Sequence, residues 1–179
     1  MNRVSKWIID TEKGTVVPYV EQDSDETLDY AGEMLKLIRT WNGAKEWDGI
    51  VSGIQKWFYG SVVKASWCAT TMSYLLTAVG LNVHEENVYN LMMKCKSLSA
   101  MGIGSFYASH SVPKQLKEGD ILFMLWNGTQ MTTTSSKHVT MCNVSTTGSE
   151  VKCIGGNQND GICVSTYYRK NIYAVYRLD

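Results

Sequence analysis

The chain has 179 residues, 44% hydrophobic and 19% charged, which is enough apolar content for one buried core and too little length for two ordinary domains. Seventeen Lys and Arg balance seventeen Asp and Glu, so the basic surplus of a generic nucleic-acid binder is absent. No apolar run approaches the ~18–20 residues that cross a bilayer, so no membrane insertion is expected. The opening MNRVSKWIIDTEKG lacks the apolar stretch of a secretory leader, which predicts a product made in the cytoplasm.

In chain order, Trp7 to Ile9 and Val16 to Val20 are short extended runs flanking Glu12-Lys13-Gly14, as in a hairpin or an N-terminal arm. From about Glu26 to Arg39, Leu28, Ala31, Leu35 and Ile38 recur at helical spacing. Trp47, Ile50, Val51, Ile54, Trp57 and Phe58 mark one face of a second helix, which Gly60 ends. A third helix is expected over Cys68 to Val79, with Ser66 as N-cap and Gly80 in the left-handed terminal position. Asn87 to Lys94 reads as a short fourth helix. After Gly102 a Gly- and Ser-rich loop runs to Pro113, and the unbroken apolar run Ile121 to Leu125 predicts a buried strand. Val139 to Val144, Glu150 to Ile154, Ile162 to Tyr167 and Tyr173 to Arg177 are further strands. Helices first and antiparallel strands after is the α+β pattern.

Five cysteines, Cys68, Cys95, Cys142, Cys153 and Cys163, contain no C-x-x-C pair and match no common zinc spacing. Their odd number argues against a complete disulfide framework, and reduced thiols are the default. Cys142 and Cys153 flank a turn near Thr147-Gly148 and could face each other across a hairpin. Asp23, Asp25 and Asp29 form a loose acidic cluster without the glycine and closing glutamate of a calcium loop, so they read as a solvated helix start. No metal or cofactor is expected.

Cys68 is the candidate nucleophile. At a helix start a thiol meets unpaired N–H groups and the positive end of the dipole, which favour the thiolate and suit an oxyanion. That predicts Cys68 as the most reactive thiol; the plainer alternative is a small buried helix residue. Of three histidines, His138 opens a strand, where it would be held rigidly as a base. His84 lies between helices without the second histidine of H-E-x-x-H, and His110 sits in a Ser-rich loop. Asn157, in Gly155-Gly156-Asn157-Gln158-Asn159, is a candidate to accept a hydrogen bond from the far imidazole nitrogen, although the same residues also make an ordinary turn. Trp67, Trp126 and Gln158 are candidate substrate-binding residues, while Trp41, Trp47 and Trp57 at helical spacing are expected in the core.

Cysteine at a helix start, then histidine at a strand start, then a polar residue on a later strand resembles the CHAP family (cysteine, histidine-dependent amidohydrolase/peptidase). The resembling stretches are Ser66-Trp67-Cys68-Ala69, Lys117-Glu118-Gly119-Asp120-Ile121-Leu122-Phe123, Lys137-His138-Val139, and Gly155-Gly156-Asn157-Gln158 followed by Val164-Ser165-Thr166-Tyr167. They cover roughly residues 60 to 179. The resemblance implies a papain-like α+β fold, with 1–60 as a helical extension and 61–179 as the catalytic core of a single domain. It implies Cys68 as nucleophile, His138 as base and Asn157 as orienting residue. Some CHAP enzymes place a glutamate where this chain has Gly155, so a Cys-His-Asn triad is expected rather than a tetrad. The glutamine that precedes the cysteine in papain-like proteases has no counterpart, which leaves the oxyanion hole to backbone N–H groups.

The implied activity is hydrolysis of an amide in peptidoglycan, either within the stem peptide or at the N-acetylmuramoyl–L-alanine bond. A phage-type endolysin released through a holin fits this. So does an antibacterial amidase effector delivered into a rival cell and paired with an immunity protein. Other classes are a peptidoglycan-binding module without turnover and a cysteine protease acting on ordinary proteins.

Overall fold

The computed structural model describes residues 6–10, 15–19 and 29–178. The hairpin turn at Glu12-Lys13-Gly14, the acidic residues Asp23 and Asp25, and the expected helix start at Glu26 lie outside them. β1 (Lys6–Asp10) and β2 (Thr15–Tyr19) pair antiparallel, with Lys6 opposite Tyr19. Four helices follow: α1 (Tyr30–Thr40), α2 (Gly49–Tyr59), α3 (Cys68–Ala78) and α4 (Val88–Ala100). Six strands then form one sheet: β3 (Ser105–Tyr107), β4 (Ile121–Leu125), β5 (Lys137–Cys142), β6 (Glu150–Gln158), β7 (Gly161–Tyr168) and β8 (Ile172–Arg177). Its order is β3-β8-β4-β5-β6-β7, antiparallel throughout. The architecture is α+β. No helix among the described residues is long and apolar enough to cross a membrane.

The helix ends follow from local chemistry. Asp29 caps α1 by accepting from the Gly32 N–H at 2.8 Å, and Asn87 caps α4 through the Tyr89 N–H at 2.9 Å. Gly60 ends α2 at φ +74°, a left-handed conformation that glycine adopts without strain. The helix at Asn87 runs past Lys94 to Ala100, because Cys95 and Leu98 continue its buried face. The segment after Gly102 is not wholly loop. Ser105–Tyr107 pairs with β8, and Ser109–Ser111 forms a single 3-10 turn.

Alternation along β4 divides the interior. Ile121, Phe123 and Leu125 enter the cluster that includes Met34, Ile38, Val51, Ile54, Met72 and Leu75 of the helices. Leu122 and Met124 enter a second cluster with Leu116, Cys142, Val151, Cys153 and Val175 on the opposite face. A strand buried on both faces reads as an unbroken apolar run, which is what Ile121 to Leu125 is. Just before it, Asp120 is buried and pairs bidentately with Arg177, Nε to Oδ1 and Nη2 to Oδ2, both at 2.7 Å. Gly119 lies so close to α1 that a Cβ would approach the Ala31 Cβ to 2.7 Å. The G-D-I-L-F stretch is therefore structural: it docks α1, holds an ion pair and begins the central strand.

Of the three tryptophans expected in the core, Trp41 is buried and Trp57 is partly buried against the core cluster, both rings meeting Tyr74. Trp47 is instead 60% exposed with φ +79°, because the chain must turn there between α1 and α2. Just before that turn, residues 43–46 bond to Asp160 and Ile162 and cover the start of edge strand β7. Cys142 and Cys153 are partners across β5 and β6, both buried and both free thiols.

Candidate active site

The β5–β6 ladder pairs Cys142 with Cys153 and Met141 with Ile154, and then stops. Beyond that point the first turn of α3 lies against β6. A Cβ on Gly156 would sit 2.2 Å from Thr71 Oγ1 and 2.8 Å from the Trp67 ring, so only glycine permits the approach. Thr71 Oγ1 donates to Trp67 O at 2.9 Å, which locks the turn. The residue at the N-cap position is Trp67 rather than Ser66, and no side chain caps the helix. The N–H groups of Cys68, Ala69 and Val139 face the Cys68 sulfur. Val139 is the residue after His138, so helix start and strand start meet here as expected.

His138, Thr140 and Cys142 occupy one face of β5, opposite Met124 and Leu122 of β4. The same face of β6 carries Val151, Cys153 and Gly155. Regular alternation would next present Asn157, the residue expected to orient the imidazole. β6 instead contains a bulge: Gly155 pairs with Cys163 and Gln158 with Gly161, three steps on one strand against two on the other. Asn157 takes up the irregularity at φ +58°, and its side chain makes no hydrogen bond among the described residues. The extra residue moves Gln158 onto the face of His138. His138 Nε2 lies 3.2 Å from Gln158 Oε1, and Thr140 Oγ1 donates to the same oxygen at 2.8 Å. Gly155 makes room for this, since a Cβ there would lie 2.7 Å from Thr140 Oγ1 and 3.1 Å from Gln158 Oε1.

The orientation of the Gln158 amide determines the histidine tautomer. Gln158 Nε2 donates to the carbonyl of Cys163, which can only accept. Oε1 therefore faces His138 and Thr140, and an amide oxygen also only accepts. Nε2 of the imidazole must carry the hydrogen, which leaves the lone pair of the neutral ring on Nδ1.

Electrostatics correct one expectation. Burial pushes the Cys68 thiol above its ordinary range, against the opposing pull of the Val139, Ala69 and Cys68 N–H groups and of Lys137. Burial likewise holds His138 below the usual histidine range, with the Gln158 hydrogen bond acting in the opposite sense. At neutral pH the site rests with Cys68 as a thiol and His138 as a neutral imidazole, not as a preformed thiolate. The helix dipole is real, but burial outweighs it.

Neither Trp67 nor Gln158 lines a groove. Trp67 is fully buried in the helical core, and Gln158 is buried beneath the imidazole that it orients. Trp126 does stand at the surface, 39% exposed, with its ring 6.2 Å from that of His138. Tyr167 of β7, not foreseen from the sequence, closes the group at 5.7 Å from His138 and 6.0 Å from Trp126. The other histidines lie elsewhere: His84 stacks on Phe58 at 3.8 Å, and His110 is exposed in the 3-10 turn.

No known protein-family model matches this chain, and no curated protein matches it. The chemistry must be read from the site alone. A buried thiol facing backbone N–H donors, one of them on the residue after His138, and an imidazole with a fixed tautomer and a free lone pair are the parts that nucleophilic attack on a carbonyl needs. Thr140, which donates to Gln158, was not foreseen, although its place two residues after His138 on a strand puts it on the same face. The role of Gln158 was not foreseen either, because a bulge has no dependable sequence signal.

Proposed function

We propose that this chain is a cysteine amidohydrolase of the CHAP type acting on peptidoglycan, with Cys68 as nucleophile, His138 as base and Gln158 as the residue that orients it. The observation that carries the reading is the hydrogen bond from His138 Nε2–H to Gln158 Oε1, which leaves Nδ1 unprotonated one residue from the Val139 N–H that faces the Cys68 sulfur. The papain-like assignment rests on this order of parts and on the four sequence stretches that resemble the family. The triad in this reading is Cys-His-Gln rather than Cys-His-Asn.

Attack and proton transfer occur together in this scheme, because the resting pair is neutral. His138 Nδ1 takes the thiol proton as sulfur adds to the amide carbon, and the Cys68 and Ala69 N–H groups receive the developing oxyanion. The imidazolium then protonates the leaving amine, the C–N bond breaks, and water hydrolyses the thioester. Gln158 Oε1 supports the imidazolium through the Nε2–H bond throughout.

The test is mass spectrometry of soluble fragments after incubating purified peptidoglycan with the wild type and with Cys68→Ala. New muropeptides from the wild type alone are expected. Fragments from neither protein, or equal amounts from both, would overturn the reading, and cleavage of ordinary proteins without wall release would point to a protease instead.

A further inference from the structure

Apart from Cys68 and its partners, the sheet carries a second pair of nucleophilic side chains. Cys142 on β5 and Cys153 on β6 are direct partners in the antiparallel ladder. The Cys142 N–H donates to Asp120 O at 2.8 Å, and the Cys142 carbonyl accepts from the Gly119 N–H at 2.9 Å, so both backbone groups point away from β6. One residue on, the Asn143 N–H turns the other way and donates to Lys152 O at 2.8 Å. Cys142 and Cys153 are therefore a non-hydrogen-bonded pair. Such pairs hold their Cα atoms about 4.5 Å apart, within the roughly 4.4–6.8 Å that a disulfide spans.

No other cysteine is placed to compete for these sulfurs. Both side chains are fully buried in the cluster of Leu122, Met124, Val151 and Val175, whereas Cys68 and Cys95 belong to the helical cluster on the opposite face of the sheet. Cys163 pairs with Gly155 and Cys153 with Ser165, so Cys163 lies diagonal to Cys153. Diagonal neighbours stand about 7–8 Å apart, beyond the disulfide range. Each buried thiol meets only a backbone carbonyl, Val144 O at 3.3 Å for Cys142 and Val151 O at 3.6 Å for Cys153, and a thiol is a weak donor. A disulfide removes two hydrogens and adds no atom, so it asks no extra volume of the cluster.

We infer that Cys142 and Cys153 are the site of a cross-strand disulfide, made as the chain folds in contact with an oxidant of the disulfide class, such as oxidised glutathione or a thiol–disulfide oxidoreductase. One cysteine thiolate attacks the S–S bond of the oxidant, forming a mixed disulfide and releasing one thiol. The second cysteine then attacks the protein sulfur of that mixed disulfide and releases the other, so the oxidant takes up the two electrons and two protons that the cysteines lose. Burial pushes the Cys142 thiol up to about 11 and the Cys153 thiol higher still. Thiolates are scarce once the cluster has closed, which assigns the exchange to folding. On the same face the next pair along is Thr140 and Gly155, and across the bulge come His138 and Gln158. The crosslink staples together the two strands that carry the His138–Gln158 bond.

The full chain, unfolded in urea with reductant and refolded in a glutathione buffer rich in the oxidised form, tests this. Peptide mapping without reduction should show Cys142 joined to Cys153, with Cys68, Cys95 and Cys163 outside any protein disulfide. Cys163→Ser should leave that crosslink in place. Ten residues separate the two cysteines, and closing this loop in the unfolded chain should raise the urea midpoint by about 1–2 M over the same protein kept in reductant. Free Cys142 and Cys153 thiols in the refolded protein, a bridge through Cys163, or an oxidised form whose midpoint is no higher than that of the reduced form would overturn the inference. None of these results bears on Cys68-dependent turnover.

Discussion

Replacing Gln158 by leucine separates the triad proposed here from the one the sequence suggested. The side chain is buried and joins three groups: His138 Nε2 at 3.2 Å, Thr140 Oγ1 at 2.8 Å and the Cys163 carbonyl. An unpaired buried donor or acceptor costs about 1–3 kcal/mol. The Thr140 hydroxyl can rotate, and Cys163 lies on a half-exposed edge strand that water can reach, so roughly 2–4 kcal/mol in total is expected from urea unfolding. The catalytic effect should be larger. Without Gln158 the two neutral tautomers of His138 become comparable, the imidazolium loses its support, and kcat/KM should fall on the order of 100-fold. Asn157→Gly is the matched comparison, since it removes the other amide and suits the left-handed φ of +58°. It should keep activity within about threefold, given that the side chain makes no hydrogen bond among the described residues. Nitrogen-15 NMR of the imidazole gives a readout independent of turnover: the Nε2–H tautomer should dominate in the wild type and in Asn157→Gly, and a mixture should appear in Gln158→Leu. Loss of activity in Asn157→Gly with retention in Gln158→Leu would refute the geometry.

Further outcomes follow from burial and charge. Asp120→Ala removes the bidentate carboxylate from the Arg177 guanidinium, which keeps the Gln115 carbonyl and the Tyr107 ring, and should destabilise the chain by about 2–3 kcal/mol in urea titrations; a cost below about 1 kcal/mol would show that solvent already screens the pair. Gly156→Ala drives a methyl into Thr71 Oγ1 and the buried Trp67 ring and should cost roughly 1–3 kcal/mol, with loss of turnover as α3 is pushed from β6; a neutral melting temperature would argue against the tight docking. His138 stays neutral in the folded chain at pH values where an unfolded histidine, titrating near ~6.5, takes up a proton. Stability should therefore be level above that pH, decline below it, and level off once the folded imidazole also protonates. The acid limb of kcat/KM should lie below pH ~6.5 for the same reason, and a limb above it would contradict a buried neutral base. Limiting iodoacetamide at pH 7 should modify half-exposed Cys163 before the buried Cys68, as peptide mapping would show; preferential labelling of Cys68 would restore the preformed thiolate.

Much of the fold is local and was legible. Helical spacing located α1 to α3, Gly60 ended α2 as a left-handed cap, and the two-sided burial of β4 was written in an apolar run of five residues. The same logic placed Cys68 at a helix start and His138 at a strand start, because both positions depend on residues near them in the chain. Tertiary structure decided what no local pattern encodes. A one-residue bulge between Gly155 and Gln158 reverses which side chains of β6 share the face of His138, so the orienting amide is Gln158 and not its neighbour. Trp67 went to the core and Trp126 to the surface beside the imidazole, because packing against α3 and the course of β7, not residue type, set their exposure. The state of the thiol was likewise decided in three dimensions. A helix start favours a thiolate wherever it occurs, but how much solvent the site loses depends on everything packed around it, and here that loss prevails.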